Sequence, residues 1–334
     1  PLDLEQPMQK IFVLLRARTG HDFSSYKPNT MRRRIERRIT VHEMKSPQEY
    51  VSLLQENPHE IDILFKELLI GVTSFFRDPE AWKVLAEKAL PELMAVRPEN
   101  YTFRVWVPGC GSGEEAYTIA ILLRECMGNV NKPFDFQIFA TDLDAEAIEV
   151  ARAGLYPVGI AADVPPEFLK RYFIKEDGAY RVRKEIREML VFAQQNVIKD
   201  PPFTKLDLLS CRNLLIYLNS HLQKRLFPIF HYTLKVDGLL MLGPSETIGG
   251  FQSLFDMVDK KWKLFRRKET AVAQMLPAIP AQPVKERGTR VPLGTFTPPA
   301  RPVNISSELE KLLLGRFAPP SVIVNDRGDI IYIH

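Results

Sequence analysis

A glycine-rich stretch occupies residues 105 to 115 and reads Val105-Trp106-Val107-Pro108-Gly109-Cys110-Gly111-Ser112-Gly113-Glu114-Glu115. The apolar residues at its start predict a buried strand, and the residues that follow the last glycine have the spacing of a helix. Glycine lets the intervening backbone turn tightly and approach a ligand with no side chain in the way. The stretch therefore predicts a strand, a ligand-binding turn and a helix.

The next predicted strand ends in acidic residues, Ala140-Thr141-Asp142-Leu143-Asp144. An acid at this position can accept hydrogen bonds from both hydroxyls of a ribose. The alternative is that the carboxylate caps the following helix, and this alternative is stronger for Asp144 than for Asp142.

The residues after the last glycine separate two cofactor classes. A dinucleotide-binding loop normally has its last glycine two residues later than Gly113. Here Glu114 and Glu115 begin the helix, where a carboxylate would repel a pyrophosphate but would suit the ammonium and sulfonium end of S-adenosylmethionine. The pattern thus favours a methyltransferase over a dehydrogenase.

Short apolar runs alternate with helical stretches from residue 103 onward, at 103–107, 137–140, 206–209 and 238–242. This alternation predicts an α/β fold in which a Rossmann-like parallel sheet is wrapped by helices. We expect this sheet domain to cover residues 93–268, after an N-terminal helical domain over residues 1–92 in which apolar residues recur at helical spacing.

Within the sheet domain, residues 155–195 interrupt the alternation and predict a small antiparallel β insertion. It would contain a helix at 167–173 and a hairpin between 180–182 and 190–192. Residues 269–304 are rich in proline, which is typical of an extended linker. Residues 305–334 predict a helix at 306–314 and two strands, at 321–324 and 330–333. We expect them to begin a further domain that is cut short, so that the chain is part of a longer protein.

Composition excludes some classes of protein. The chain has 334 residues, of which 45% are hydrophobic and 26% charged, with a net charge of +4. No apolar run is long enough to span a membrane, and no signal peptide opens the chain, so we expect a cytoplasmic location without direct membrane insertion. The three cysteines lack paired spacing, which indicates reduced thiols and neither a disulfide framework nor a metal site.

Five arginines follow one another closely in Met31-Arg32-Arg33-Arg34-Ile35-Glu36-Arg37-Arg38-Ile39. Ile35 and Ile39 are four residues apart and would face inward on a helix, which leaves the arginines outward. They could form a solvated face, a nucleic-acid patch or a surface for an acidic protein. Nucleic acid is not expected, because interleaved exposed aromatic residues and a strongly basic total charge are absent.

Five motifs in order resemble the CheR family of chemotaxis receptor methyltransferases, and the resemblance runs from Ile11 to Phe265. They are Thr73-Ser74-Phe75-Phe76-Arg77-Asp78, Gly111-Ser112-Gly113-Glu114-Glu115-Ala116-Tyr117, Ala140-Thr141-Asp142-Leu143-Asp144, Cys211-Arg212-Asn213-Leu214-Leu215-Ile216-Tyr217 and Asp237-Gly238-Leu239-Leu240-Met241-Leu242-Gly243-Pro244-Ser245-Glu246. The resemblance implies a class I S-adenosylmethionine-dependent methyltransferase. Such an enzyme esterifies glutamate side chains of chemoreceptor-like proteins and releases S-adenosylhomocysteine. The tail beyond Leu312 resembles the start of a PAS sensor domain.

The same resemblance implies the site. Thr73 and Arg77 would cover the cofactor, Glu115 and Asp142 would hold its methionine and ribose portions, Asn196 and Val197 would flank the adenine, and Arg212, Asn213 and Tyr217 would lie near the methyl group. The full set of expected cofactor-binding residues is Gly71, Thr73, Arg77, Gly109, Gly111, Glu115, Asp142, Asn196, Val197, Arg212 and Asn213. Arg77 and Tyr217 are the expected catalytic residues, which orient the acceptor carboxylate. Gly71 stands where relatives often have an asparagine, so one hydrogen bond to the cofactor is lost or comes from the backbone.

The resemblance also implies a partner. Arg32, Arg33, Arg34, Arg37 and Arg38 would lie along the acidic methylation helices of a receptor. The β insertion resembles a subdomain that grips a C-terminal receptor pentapeptide in some relatives, but its loop at residues 174–179 is short, so a pentapeptide tether is not expected. Two alternatives remain open: a regulator that binds S-adenosylmethionine or S-adenosylhomocysteine without turnover, and a methyltransferase that acts on another acceptor, such as RNA or a small molecule.

Overall fold

The computed structural model describes residues 4–69, 71–130, 132–269, 322–324 and 330–333. The chain forms two compact units, Pro1–Ile279 and Pro280–His334. The first unit contains the central sheet, the helices that cover it and the β insertion.

A seven-stranded sheet forms the centre of the first unit, in the order β6-β2-β1-β7-β8-β10-β9. The strands are β1 Tyr101–Pro108, β2 Phe134–Asp142, β6 Leu190–Gln194, β7 Leu206–Cys211, β8 Leu234–Leu242, β9 Phe255–Asp259 and β10 Leu264–Arg267. The first five strands in this order are parallel, and β10 is antiparallel to both of its neighbours. This arrangement confirms the predicted Rossmann-like methyltransferase sheet.

Helices cover both faces of the sheet. The longest, α7 Glu114–Val130, begins directly after the glycine turn, α8 Ala145–Ala153 follows β2, and α11 Ser220–Thr233 precedes β8. Every residue of β7 is buried. A parallel strand that is covered on both faces reads as a continuous apolar run, which is why the sequence around Leu206 lacks the alternation of an exposed strand.

Four helices from the N-terminal part pack on one face of the sheet. They are α1 Glu5–Thr19, α2 Pro28–Val41, α3 Pro47–Glu56 and α4 Pro58–Leu68. The last three begin with proline, whose fixed φ suits the first helical turn. Proline has no N–H, but no hydrogen bond is lost, because the N–H groups of the first turn have no acceptor within the helix. Their buried side chains share one apolar core with Trp106, Leu209 and Phe230.

The opposite face is covered by α5 Pro79–Val84, a π-helical turn Leu85–Ala89 and α6 Leu90–Ala95. Trp82 and Leu90 lie in the same apolar core as Phe103 and Ile119 of the sheet domain. The buried residues of these short helices belong to this core, whereas those of α1–α4 belong to the other. We therefore propose that the boundary of the helical domain lies near residue 70, not at residue 92.

The insertion is a three-stranded antiparallel sheet of β3 Leu155–Pro157, β4 Phe173–Glu176 and β5 Ala179–Val182, in the order β3-β5-β4. The helix predicted at 167–173 is present as α9 Pro166–Tyr172. The hairpin predicted between 180–182 and 190–192 is wrong: β5 pairs with β3 and β4, whereas Leu190 begins β6 and pairs in parallel with Ile138. A short helix, α10 Lys184–Arg187, turns the chain out of the insertion and back to the central sheet.

In the second unit, β11 Val322–Val324 and β12 Ile330–Ile333 pair antiparallel, close to the two predicted strands. The predicted linker at 269–304 and helix at 306–314 fall outside the described residues, apart from residue 269. Among the described residues, no helix is both long and apolar enough to cross a bilayer.

Candidate functional site

An open cleft lies at the carboxyl ends of β1, β2 and β7. In open α/β sheets this is the edge where ligands bind. Every residue with a predicted cofactor contact lines it, and so does Tyr217. Tyr26, which follows α1, also lines it and was not predicted.

The glycine turn and Asp142 are joined by hydrogen bonds. Gly111 N–H donates to Asp142 Oδ2 at 2.8 Å, and Asp144 N–H donates to Asp142 Oδ1 at 3.0 Å. Gly111 has a φ of +54°, which glycine adopts without strain. Burial raises the pKa of Asp142, and the two N–H groups oppose that rise. Asp144 accepts from the N–H groups of Glu146 and Ala147, so it caps α8; both Asp142 and Asp144 line the cleft.

Opposite charges meet at the start of α7. Ser210 donates its hydroxyl to Glu115 Oε1 at 2.7 Å, and Arg212 Nη1 lies 3.6 Å from Glu115 Oε2. Burial raises the pKa of Glu115, while the Arg212 charge and the Ser210 hydrogen bond oppose that rise. A carboxylate and a guanidinium on one wall of the cleft suit a ligand that carries both an ammonium and a carboxylate.

Arg212 is nearly inaccessible, with 1% of its side chain exposed. Its Nη2 donates to Asp78 Oδ2 at 2.7 Å and to the carbonyl oxygen of Arg77 at 3.1 Å, and its guanidinium lies 4.6 Å from the ring centre of Trp82. Its Nε and Nη1 have no hydrogen-bond partner within the described part of the chain. Because buried donors without partners are costly, a ligand acceptor in the cleft would stabilise this side chain.

The segment that carries Thr73 and Arg77 lies across the cleft from the glycine turn. A Cβ on Gly111 would lie 3.5 Å from the Thr73 methyl group, so little space separates the two elements. Arg77 Nη1 donates to the carbonyl oxygen of Val72 at 3.1 Å. Phe76 has a positive φ, which is a strained conformation for an aromatic residue, and Asp78 has a positive φ that aspartate tolerates better. Packing and hydrogen bonds therefore hold this segment in place.

The loop from Arg212 to Tyr217 is fixed by a buried carboxylate. Glu246 is 4% exposed and accepts N–H groups from Gly243 at 2.7 Å, Asn213 at 3.0 Å and Ile216 at 3.2 Å. Asn213 has a φ of +58°, which asparagine tolerates better than most residues. Glu246 lies in the last of the five motifs, and the family resemblance implied no role for it. A lone acid after a Gly-Pro-Ser turn offers no local sign that it binds a distant loop.

Asn196 is fixed on three sides. Its N–H donates to Asp200 Oδ2 at 2.7 Å, its Oδ1 accepts from Ile198 N–H at 3.0 Å, and its Nδ2 lies 3.0 Å from His21 Nδ1. Burial lowers the pKa of His21 to about 4, so its ring is neutral at physiological pH.

The cysteines near the cleft are buried. Burial raises the pKa of Cys110 and of Cys211 well above the usual thiol value. Both thiols are therefore protonated at neutral pH and are poor nucleophiles.

The predicted arginine surface adjoins the cleft. Arg33, Arg34 and Arg37 line a shallow depression on α2, and Tyr217 contributes to both this depression and the cofactor cleft. Arg37 also pairs with Glu67 at 3.3 Å but keeps 68% of its side chain exposed.

Arg38 does not belong to the exposed set, which corrects its assignment to the substrate surface. Its Nε and Nη2 donate to both oxygens of Glu60 at 2.9 and 2.7 Å, and only 13% of its side chain is exposed. Tyr50 donates a further hydrogen bond to Glu60, which is itself 2% exposed. A buried carboxylate needs a paired cation, and Arg38 supplies it.

Two family models match the chain. "CheR methyltransferase, all-alpha domain" matches residues 6–69, and "CheR methyltransferase, SAM binding domain" matches residues 71–264. The chain is also similar to an uncharacterized 104.1 kDa protein of Rhodobacter capsulatus, at 35% identity over 331 residues. The alignment covers 99% of this chain but only 34% of that protein. The chain thus spans about a third of that relative.

Shorter relatives match over most of their own length. The chemotaxis protein methyltransferase of Borreliella burgdorferi is 32% identical over 243 residues, which is 70% of this chain and 86% of that protein. The chemotaxis protein methyltransferase of Salmonella typhimurium is 30% identical over 260 residues, which is 75% of this chain and 86% of that protein.

Proposed function

The chain belongs to the CheR family of S-adenosylmethionine-dependent methyltransferases, and from that premise we propose that it methylates glutamate side chains of chemoreceptor-like proteins. The products are a glutamyl methyl ester and S-adenosylhomocysteine. In this role the protein serves adaptation in chemotaxis-like signalling.

The residues of the cleft fit this cofactor. Glu115 offers a carboxylate to an ammonium group. Arg212 offers a carboxylate its Nε and Nη1 groups, which make no hydrogen bond to any residue that the structure describes. Asp142, at the end of β2, keeps lone pairs free for the hydroxyls of a ribose. Asn196 and Val197 line the far end, where we propose that they flank the adenine.

S-adenosylmethionine supplies a methyl group on a positively charged sulfur. A glutamate side chain with a pKa of about 4.3 is already ionised at neutral pH, so the acceptor needs no general base. The protein's task is then to hold the acceptor carboxylate in line and to exclude water. We assign the orientation of this carboxylate to Arg77 and Tyr217, which both line the cleft.

One observation carries the choice of acceptor. Tyr217 lies at the junction of the cofactor cleft and the depression lined by Arg33, Arg34 and Arg37. An acidic segment that pairs with these arginines would bring its own carboxylates to Tyr217. We place Arg32 in the same surface, since it lies beside Arg33 on α2.

The β insertion supports a tether-independent enzyme. Its strands β4 and β5 are joined by only two residues, Asp177 and Gly178, so the hairpin has a minimal loop. We propose that no C-terminal pentapeptide is gripped there. Titration of such a peptide into the protein in a calorimeter tests this, and micromolar binding would contradict it.

The activity is tested with tritiated S-adenosylmethionine and membranes that contain candidate chemoreceptors. We expect labelled receptor that releases methanol in base, as a carboxyl methyl ester does. Arg77→Ala should abolish the label while S-adenosylhomocysteine affinity changes only modestly. Binding of the cofactor without transfer to any receptor would favour a regulator, and label on RNA or a small molecule would favour another acceptor.

The arginine surface needs a matched control. The triple variant Arg33→Ala, Arg34→Ala and Arg37→Ala should lower kcat/KM for the receptor at least tenfold without changing cofactor affinity. Arg124→Ala removes an exposed arginine on α7 and should change neither quantity. Equal rates for the triple variant and the control would remove α2 from the acceptor surface.

A further inference from the structure

Residues 20–27 link the two side walls of the cleft. On one side His21 is hydrogen-bonded to Asn196, and Lys199 donates to the carbonyl oxygen of Gly20. On the other side Lys27 N–H donates to the carbonyl oxygen of Tyr217 at 2.9 Å, and Asn219 N–H donates to that of Ser25 at 3.1 Å. The segment therefore touches both the proposed adenine end and the proposed acceptor end of the site.

The direction of each hydrogen bond in this segment can be worked out. Ile198 N–H donates to Asn196 Oδ1, so the side chain of Asn196 presents its NH₂ group to His21. An amide NH₂ can only donate, so His21 Nδ1 must be the acceptor. The neutral ring then carries its proton on Nε2, which lies 3.1 Å from the Tyr26 hydroxyl oxygen and donates to it.

Tyr26 is left with a proton to donate. Its hydroxyl accepts from His21, so its own O–H is available for another acceptor. Tyr26 is 7% exposed and lines the cleft. Tyr26 and Asp142 line the same cleft. Burial, and after it the charge of Asp142, raises the pKa of Tyr26, so its hydroxyl stays protonated at neutral pH.

We propose that Tyr26 is a cofactor-binding residue that donates its hydroxyl proton to a ribose oxygen beside Asp142, and that His21 is the positioning residue that fixes this direction. The inference rests on the proposed function, because it takes the cofactor to be S-adenosylmethionine. Asp142 accepts from the ribose hydroxyls and Tyr26 donates to one of them, so the pair recognises a hydroxyl as both donor and acceptor. The helical domain thereby takes part in cofactor binding through a residue that none of the five motifs contains.

The test is a binding cycle by calorimetry, which needs no methyl acceptor. Tyr26→Phe removes one oxygen, and we expect it to weaken S-adenosylhomocysteine binding five- to tenfold. The 2′-deoxy and 3′-deoxy forms of S-adenosylhomocysteine are the matched ligand changes. One of these ligands lacks the hydroxyl that Tyr26 is proposed to contact. Its loss of affinity relative to S-adenosylhomocysteine should be at least fivefold smaller for Tyr26→Phe than for the unmodified protein, because the substituted protein has already lost the contact. Tyr232→Phe changes a half-exposed tyrosine and should match the unmodified protein.

His21→Phe tests the positioning role. We expect it to weaken S-adenosylhomocysteine binding about as much as Tyr26→Phe, and the double variant to be little weaker than either alone. Unchanged affinity for Tyr26→Phe would overturn the proposal, and so would a loss that is the same for every deoxy ligand, because that pattern indicates a structural effect. Those results leave the methyltransferase function intact. Failure of the unmodified protein to bind S-adenosylhomocysteine would instead refute the proposed function, and this inference with it.

Discussion

Glu246→Gln is the sharpest test of how the catalytic loop is held. The carboxylate accepts three backbone N–H groups, two at Oε2 and one at Oε1. Glutamine has the same shape, but its NH₂ group must replace one of these oxygens and face at least one N–H donor. A hydrogen bond to a charged acceptor contributes about 1.5–3 kcal/mol, and burial of the charge, which raises the pKa of Glu246, offsets part of this. We expect unfolding to become easier by about 1–2 kcal/mol.

The assay is urea unfolding of the substituted and unmodified proteins, followed by S-adenosylhomocysteine titration. Asn213 and Tyr217 lie on the released loop, so cofactor affinity should fall along with stability. Glu149→Gln is the control, because Glu149 keeps 69% of its side chain exposed and should change stability by less than about 0.5 kcal/mol. If Glu246→Gln is as stable as Glu149→Gln, the reasoning about the buried carboxylate is refuted.

Four further predictions concern single positions. Gly71→Asn meets no atom within 4 Å at its Cβ and should tighten S-adenosylhomocysteine binding up to about fivefold; calorimetry that shows no gain would contradict this. Gly113→Ala would bring a Cβ within 2.9 Å of the Ala151 Cβ at a φ of +96°. Thermal unfolding should therefore show that its free energy of unfolding is lower by about 2 kcal/mol or more. The control is Gly128→Ala, which lies inside α7 in open surroundings and should raise the free energy of unfolding by about 0.5–1 kcal/mol. Arg38→Ala should cost about 3 kcal/mol, because the buried Glu60 loses its guanidinium and keeps only Tyr50 and His42 as partners. A loss as small as that of Arg34→Ala would return Arg38 to the exposed set. Because burial lowers the pKa of His21 from 6.5 to about 4, the unfolded chain binds a proton between these pH values that the folded chain does not; stability should fall by about 3 kcal/mol from pH 7 to pH 4, and a pH profile unchanged in His21→Gln would refute this.

Local pattern was sufficient for the parts of the fold that depend on local rules. The glycine turn between β1 and α7, the acid after β2 and the period of the apolar runs each follow from neighbouring residues, and the structure has these elements where they were predicted. The hairpin at 180–192 failed for a reason of the same kind. The local sequence of a short apolar strand does not identify the strand with which it pairs. Leu190 pairs with Ile138 in the central sheet and not with the strand of the insertion that was predicted as its partner.

Arg38 shows a second limit of the sequence pattern. The helical period predicts that Ile35 and Ile39 face inward, but it does not distinguish the five arginines on the outer face by their exposure. Arg38 lies at the border of that face, where a buried carboxylate from α4 reaches it, and its partner Glu60 is 22 residues away. Only the packing of α2 against α4 separates the arginine that stabilises the domain from those available to a partner.

A hydrogen bond between residues far apart in the chain also joins the parts of the site. His21 and Asn196 are 175 residues apart in the chain, and neither stands in a pattern that points to the other. Their hydrogen bond fixes the proton of Tyr26, and the same segment fixes Tyr217 through Lys27. Because one segment of the helical domain contacts both walls, a cofactor that orders Tyr26 also steadies the backbone of Tyr217, where the acceptor is proposed to bind. Loss of the His21 contact should therefore raise KM for the receptor as well as weaken cofactor binding.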